Sequence, residues 1–291
     1  PRELASAMRF RHWAKNLLVF VAPFTGIQHL TMTVAWQALV LFLAMSLLAS
    51  ATYIANDLAD LSADRQHQNK RFRLLASGAM SIRAAVLMIC LLMSAAFGLG
   101  SLLPWEALAA LGVYLAITLA YSLELKRKPI IDVVILAFLF TLRVIAGGLL
   151  LPAPVSPWLL TFSMLLFVGL AMIKRYAELD RAVQRGESGI SARRYTARDL
   201  PLLLTAGIAS GFSAIVIFMI YLINEEYPRG LYAHPERLWA MMPIFLIWIL
   251  RAWHLTVHGR IDEDPVVFAM HDRVSLMLGA LSVVILAGAH F

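Results

Sequence analysis

Three aspartates at regular spacing are the residues of this chain best suited to hold a metal ion. Residues 56–65 read NDLADLSADR and directly follow a long apolar stretch. At about 100° per residue of helix, Asp57, Asp60 and Asp64 fall within about 60° of one another on one face. Carboxylates on one face repel one another unless a cation compensates them, and ligands made only of oxygen suit Mg²⁺, with Mn²⁺ as a substitute. The spacing therefore predicts a divalent metal site.

Basic residues follow the aspartates at once, namely Arg65, Lys70, Arg71 and Arg73. A solvated acidic loop is the alternative interpretation, because charge runs usually face water. The position at the end of an apolar stretch, where ionisable groups are costly and usually functional, favours a site instead. Carboxylates together with cations are typical of a site that binds a metal ion and a diphosphate.

The elements that carry these residues are predicted to be transmembrane helices. Hydrophobic residues make up 60% of the 291 residues and charged residues only 15%, which argues against a soluble enzyme. Since lipid offers no partners to exposed backbone groups, the predicted fold is all-α, a polytopic bundle of nine helices. About 20 residues cross about 30 Å of hydrocarbon, and the first of the nine stretches is shorter than this. The nine stretches are Asn16–Leu30, Thr31–Ala55, Ala84–Leu103, Trp105–Leu123, Ile130–Leu151, Val155–Ile173, Leu200–Ile223, Leu238–Val257 and Val274–Phe291.

The distribution of Lys and Arg predicts the orientation in the membrane. The N-terminal segment and the connections after stretches two, four, six and eight carry nearly all basic residues, whereas the opposite connections carry only Arg229 and Arg237. The positive-inside rule then places the N-terminus and the aspartates in the cytoplasm, and we expect a bacterial inner membrane. This asymmetry also explains the net charge of +7, so no nucleic-acid partner is expected.

Short connections predict one domain over residues 1–291. The longest connection, roughly residues 174–199, is too short to form a soluble domain. The chain begins at Pro1 without an initiating Met, which leaves a preceding segment open. The sequence does not predict the oligomeric state.

With these features in place, the chain resembles the UbiA superfamily of intramembrane prenyltransferases. The aspartate-rich segment, followed by the KRFR run of residues 70–73 and by Ser77-Gly78, is similar to the first aspartate-rich motif of that family. The nine stretches match the family's fold, and the resemblance extends over essentially the whole chain. It implies that Asp57, Asp60 and Asp64 hold Mg²⁺ and the diphosphate of the donor, with Asn56 in the same catalytic set.

The chain departs from the aromatic prenyltransferases of the family after stretch six. These typically carry a second aspartate-rich motif there, whereas residues 174–180 read KRYAELD. Together with residues 9–16 (RFRHWAKN) and 121–126 (YSLELK), this segment resembles the branch that moves phosphoribose from phosphoribosyl diphosphate to a polyprenyl phosphate. Two phosphorylated substrates require additional Lys and Arg.

The resemblance and the charges together imply a substrate-binding set. We expect a phosphorylated small-molecule donor and a polyprenyl lipid to contact residues that are mostly basic or aromatic. These residues are Lys15, Asn16, Arg65, Lys70, Arg71, Arg73, Tyr121, Lys126, Asp132, Arg143, Lys174, Arg175 and Tyr176.

In two pairs of charged residues, the spacing along the chain decides whether the two side chains can pair. Asp132 and Arg143 lie eleven residues apart in one stretch, about 16 Å along a helix, so they cannot pair directly and each is expected to face a cavity. Lys174 and Glu178 have the spacing of a local ion pair, worth only a few tenths of a kcal/mol. We expect Lys174 and Arg175 to bind substrate phosphate.

An acidic run and two groups of glycines are expected to have structural roles. The acidic run at residues 262–264 is predicted to be a surface loop. The glycines at 147–148 and 207–211 are expected at close helix contacts.

Two alternative functions remain from the sequence. One is an aromatic prenyltransferase, which differs from the phosphoribosyl-transferring branch in typically carrying a second aspartate-rich motif. A transporter whose acidic segment binds a coupling cation is the second, disfavoured because transport sites lie near the bilayer midplane.

Overall fold

The computed structural model describes residues 8–26, 29–66, 70–190, 193–230, 232–261 and 264–290. The α-helices are α1 (Val21–Thr25), α2 (Met32–Ala59), α3 (Leu61–Gln66), α4 (Ile82–Gly100), α5 (Trp105–Leu123), α6 (Ile131–Gly148), α7 (Pro157–Gln184), α8 (Leu200–Tyr221), α9 (Met241–Val257), α10 (Pro265–His271) and α11 (Arg273–His290). Shorter 3₁₀ segments are Phe10–Phe20, Lys70–Phe72, Leu125–Arg127, Ala197–Asp199 and Pro235–Ala240, and a π-helical turn covers Leu222–Glu226. The two strands are β1 (Gly189–Ile190) and β2 (Tyr195–Thr196).

Eight helices within the described ranges are long and apolar enough to cross a membrane, and they correspond to predicted stretches two to nine. The all-α membrane fold is therefore confirmed, but the count of nine is not. The first predicted stretch, Asn16–Leu30, begins inside a 3₁₀ helix, Phe10–Phe20, which is continued by the five-residue α1. Pro23 lacks a backbone N–H, and the helix ends at a C-cap on Gly26, so this segment is shorter than the roughly 20 residues that a span needs.

The contacts of the chain divide it into two compact units, and the expectation of one domain stays a prediction. The first unit contains residues 1–123 and 142–155. In it, α2 packs against α4, α5 and the 3₁₀ helix Phe10–Phe20, with Leu41, Met45 and Leu48 fully buried. At the end of α2, Ile54, Leu75 and Ala85 form a buried cluster. This cluster holds the turn that follows Lys70–Phe72 against the last turns of α2.

The second unit contains residues 124–141 and 156–291. Helix α7 begins at a Ser156 cap, whose side chain accepts a hydrogen bond from the Leu159 N–H, and it packs along α8. Strands β1 and β2 pair antiparallel, with Gly189 opposite Thr196 and Ile190 opposite Tyr195, and β1 contacts α7. The hairpin therefore lies against the C-terminal half of a membrane helix.

Glycines allow the closest helix contacts, as the sequence predicts. A Cβ atom at Gly147 would lie 1.9 Å from the carbonyl oxygen of Val19, and one at Gly207 would lie 2.2 Å from the Trp253 ring. Neither position has room for a side chain. These glycines serve packing and not phosphate binding.

We predict that Gly147→Ala destabilises the protein by about 2 kcal/mol or more, because the added methyl group meets backbone and not a movable side chain. Gly98→Ala is the matched control, since a Cβ there has nothing within 4 Å and the residue lies inside α4. That control should be neutral or stabilising by up to about 1 kcal/mol. Thermal unfolding in detergent measures both. Equal melting temperatures for Gly147→Ala and the wild type would contradict the packing assignment.

Candidate active site

The aspartate-rich segment keeps helical spacing although the helix is interrupted within it. Helix α2 ends at Ala59, Asp60 is its C-cap, and α3 carries Asp64. The Asp60 N–H donates to the Asn56 carbonyl at 2.9 Å, and the Asp64 N–H donates to the Asp60 carbonyl at 2.8 Å. Because these bonds continue the helical pattern through the interruption, the predicted alignment of Asp57 and Asp64 on one side is preserved.

A single guanidinium bridges Asp57 and Asp64. Arg73 Nη1 donates to Asp57 Oδ1 at 2.9 Å and to Asp64 Oδ2 at 2.7 Å. The Asp64 side chain is almost fully buried, and those of Asp57 and Arg73 are partly exposed. Two carboxylates therefore converge on one cation, which in this structure is a guanidinium, and the predicted metal site stays a prediction.

Arg9 is a member of the site that the sequence analysis missed. Its Nη2 atom donates to both oxygens of Asp57, at 2.8 and 2.6 Å, and its guanidinium lies over the Tyr53 ring at 5.1 Å from the centroid. The Arg9 backbone is left-handed, with φ 49°, which is uncommon outside glycine. The only sequence signal was its place in the quoted run of residues 9–16.

A cavity lies beside these ion pairs. Its polar wall consists of Arg9, Asp57 and Arg73, and its apolar wall includes Ile54 and Leu75 from the buried cluster, with Leu74 and Met80. An anion that entered this cavity would meet two guanidinium groups. Both guanidinium groups are paired with Asp57, which lies between them in the same wall.

Carboxylate oxygens are suitable ligands for a divalent cation, but in this arrangement these carboxylates do not form a complete ligand set. Among the described residues, no group of three or more His, Cys, Asp or Glu side chains is arranged to hold a metal ion. Asp57 and Asp64 nevertheless share one cationic partner, and oxygen ligands are those that Mg²⁺ and Mn²⁺ prefer. Asp60 lies between them at the C-cap of α2, half-buried.

The structure brings Asn16 and Arg143 together in the first unit. Arg143 Nε donates to Asn16 Oδ1 at 2.8 Å, Arg143 Nη2 donates to the Tyr114 hydroxyl at 3.1 Å, and Asn16 Nδ2 donates to Ser46 Oγ at 3.0 Å. Arg143 and Asn16 are buried, and so is the neighbouring Lys15. Arg143 therefore has hydrogen-bond partners within the first unit.

The remaining predicted residues of the first unit are more exposed. Arg65 and Arg71 are exposed, and the Arg71 guanidinium lies over the Phe72 ring. Tyr121 is half-buried near the end of α5. The side chain of Lys70 lies outside the described part of the chain. Their substrate-binding roles stay predictions.

In the second unit, Asp132 and Arg175 lie in a buried network that also contains Glu178, Arg193 and Tyr195. Arg175 Nε is 2.6 Å from Asp132 Oδ2, Arg175 Nη1 pairs with Glu178, and Arg193 lies within 3.7 Å of Asp132 and 3.5 Å of Glu178. Asp132 and Arg175 have no exposed side-chain surface. A substrate phosphate could not reach them in this arrangement, so the geometry favours a positioning role over the direct contact that we expected.

Tyr195 completes this Asp132 network from the β-hairpin. Its hydroxyl donates to Asp132 Oδ1 at 2.6 Å and accepts a hydrogen bond from the Ile130 N–H at 2.8 Å. Burial raises the pKa of the Tyr195 hydroxyl, and the hydrogen bond to the Asp132 carboxylate raises it further. The hydroxyl therefore keeps its proton at neutral pH. No sequence signal pointed to Tyr195 or Arg193.

Lys174 is paired differently from the expectation. Its Nζ atom lies 3.1 Å from Asp264 Oδ2, whereas Glu178, the predicted local partner, pairs with Arg175. Asp264 also caps α10 by accepting from the Val266 N–H, so it is not merely part of a surface loop. Asp262 and Glu263 lie outside the described residues. The capping role and the cation explain why Asp264 is 10% exposed.

Lys126 and Tyr176 complete the predicted set. Lys126 is half-buried in the 3₁₀ turn Leu125–Arg127, and Tyr176 packs edge-on against Trp253 with ring centroids 6.0 Å apart. Both roles stay predictions.

Comparison with known proteins places the chain in a family. The model of the UbiA prenyltransferase family matches residues 17–276. The protein y4nM of Sinorhizobium fredii is 39% identical over 280 residues, which are 96% of this chain and 54% of that relative, so the chain spans about half of the relative's length. The decaprenyl-phosphate phosphoribosyltransferase of Mycolicibacterium smegmatis is 33% identical over 292 residues, 96% of this chain and 90% of that enzyme.

The fold has a solved counterpart. The structure of a UbiA homologue from Archaeoglobus fulgidus bound to GPP and Mg²⁺ matches this chain with a TM-score of 0.69 at 16% identity, covering 98% of this chain and 97% of that one. The chain belongs to the UbiA prenyltransferase family and is an integral membrane transferase.

Proposed function

We propose that this transferase moves phosphoribose from phosphoribosyl diphosphate to a polyprenyl phosphate, with Mg²⁺ or Mn²⁺ at the aspartates. The observation that carries the proposal is the convergence of Asp57 and Asp64 on Arg73, with Arg9 on the other side of Asp57. Carboxylates bracketed by two arginines suit a metal ion and a diphosphate together. The similarity to a decaprenyl-phosphate phosphoribosyltransferase over 96% of the chain supports this choice of substrates.

In this proposal Asp57, Asp60 and Asp64 would hold the divalent cation. When bound, the cation neutralises charge that develops on the departing diphosphate. Arg9 and Arg73 bind diphosphate oxygens from the cavity wall that they form with Asp57. Arginine suits this task because its planar guanidinium makes paired hydrogen bonds to phosphate oxygens.

The reaction needs positioned charge more than a strong base. The bond between the anomeric carbon and the diphosphate oxygen breaks, the electron pair leaves with pyrophosphate, and an oxygen of the lipid phosphate bonds to that carbon. Because the acceptor is already an anion, no proton has to be removed. Lys126 and Lys174, both partly exposed in the second unit, are proposed to bind the phosphate of the acceptor.

Transfer of a prenyl chain to an aromatic acceptor is the competing function. Such an acceptor loses a proton after attack, so a base is needed, and a second acidic motif is typical. One of the two acids of this segment is already paired with cations, because Glu178 pairs with Arg175 and lies near Arg193. This neutralisation favours the phosphoribosyl reaction.

The substrate pair that releases pyrophosphate tests the proposal. Purified protein with Mg²⁺ is incubated with phosphoribosyl diphosphate and polyprenyl phosphate, and separately with polyprenyl diphosphate and an aromatic acid. We expect pyrophosphate only from the first pair. Release from the second pair alone would establish the competing function.

We predict that Asp57→Asn and Asp64→Asn each reduce kcat/KM at least about 100-fold, because the divalent cation loses a charged ligand. Glu124→Gln is the matched control, since Glu124 is exposed and pairs with Lys128 four residues along the chain. The control should keep activity within about twofold. Full turnover in a folded Asp64→Asn variant would refute the assignment of the site.

We further propose that the aspartates face the cytoplasm, as the distribution of Lys and Arg indicates. In a Cys90→Ala background, a cysteine at the exposed Ser62 should react with an impermeant maleimide only from the cytoplasmic side. A cysteine at Ser101, which is exposed in the connection after α4, should react only from the opposite side. The reverse pattern would overturn the orientation.

A further inference from the structure

Ile130 holds an unusual backbone conformation next to the Asp132 network. Its φ of 67° lies in the left-handed region, which a β-branched residue adopts only at a cost in energy. The residue lies between the 3₁₀ turn Leu125–Arg127 and the start of α6. Such strain persists only where surrounding contacts hold it, so the contacts of Ile130 matter.

Tyr195 supplies such a contact. Its hydroxyl accepts from the Ile130 N–H at 2.8 Å and donates to the fully buried Asp132 Oδ1 at 2.6 Å. Asp132 is fixed in turn by Arg175 Nε at 2.6 Å. One hydroxyl thus joins the strained backbone to a buried ion pair.

The hairpin is built so that Tyr195 can reach this position. Ile190 pairs with Tyr195, and a Cβ atom at Gly189 would lie 2.0 Å from the Tyr195 carbonyl oxygen. Only glycine permits that approach, and Tyr195 is 2% exposed. The position of the hydroxyl is therefore set by the hairpin's backbone as well as by its hydrogen bonds.

We propose that Tyr195 is a positioning residue that fixes the chain from Leu125 to Ile130 and thereby places Lys126 for phosphate binding. The last part rests on the proposed function, in which Lys126 contacts a substrate phosphate. Tyr195 itself touches no substrate. It acts through the Ile130 N–H, four residues after Lys126.

Tyr195→Phe tests the proposal, because it keeps the ring and removes only the hydroxyl. We expect the Ile130 amide to exchange about tenfold faster, since it loses a buried acceptor. We expect the apparent KM for polyprenyl phosphate to rise about tenfold while kcat stays within about twofold. This pattern indicates weaker substrate binding with an unchanged chemical step. Hydrogen–deuterium exchange on peptides that contain Ile130 and steady-state kinetics give the two readouts on the full chain.

Two comparisons make the test specific. Tyr232→Phe, which removes a hydroxyl from the connection after the π-helical turn, should change neither readout. Lys126→Ala should raise KM, and adding Tyr195→Phe to it should raise KM little further. Both substitutions remove the same interaction, the contact between Lys126 and the phosphate.

The outcomes separate this inference from the proposed function. Unchanged exchange at Ile130, or faster exchange with an unchanged KM, overturns the positioning role even where Lys126→Ala confirms the phosphate contact. If the wild type transfers nothing between the proposed substrates, the proposed function fails. Exchange at Ile130 then still decides whether Tyr195 holds this segment.

Discussion

Repulsion between Asp57 and Asp64 is the constraint on which the first unit depends. Two carboxylates near the end of a membrane span require a cation, and Arg73 supplies one to both. Arg73 reaches them because the turn that follows it packs Leu75 into a buried cluster with Ile54 and Ala85. Apolar packing thus fixes the position of a charge, and the charge permits the aspartates to lie together. The same aspartates are those proposed to hold a metal ion.

In the second unit, too, opposite charges are paired, and there they hold the connection between α7 and α8. Asp132 and Arg175 are fully buried, and each would be costly there without the other. Tyr195 and Arg193 extend the network from the loop between α7 and α8. The long polar connection, which has little apolar surface of its own, is therefore attached to the helices by buried charge.

Local pattern predicted much of this molecule. The apolar stretches predicted the eight spans that the described residues contain. Helical spacing predicted that Asp57 and Asp64 lie on one face, and both contact Arg73, a cation that the spacing did not predict. What the sequence could not predict are pairings between distant segments. Arg9 pairs with a residue 48 positions away, and Lys174 with one 90 positions away. No periodicity carries that information, because tertiary packing alone decides which charged groups meet.

The first predicted stretch shows where local pattern misleads. Its composition is apolar, yet it consists of the end of a 3₁₀ helix and a five-residue α-helix that ends at a C-cap on Gly26. Asn16, and Lys15 just before the stretch, are polar residues that are buried in the first unit. Hydropathy measures composition and cannot register that these side chains pack inward.

Transfer of label from donor to lipid tests the central claim most directly. Phosphoribosyl diphosphate carrying ¹⁴C in the ribose and ³²P in the β-phosphate is incubated with the protein, Mg²⁺ and polyprenyl phosphate. We predict that ¹⁴C enters the organic phase while ³²P is released from the donor as pyrophosphate, which stays in the aqueous phase. Asp64→Asn should abolish both the transfer of ¹⁴C and the release of pyrophosphate. Transfer that persists in folded Asp64→Asn, or ¹⁴C that never enters the lipid, would contradict the account.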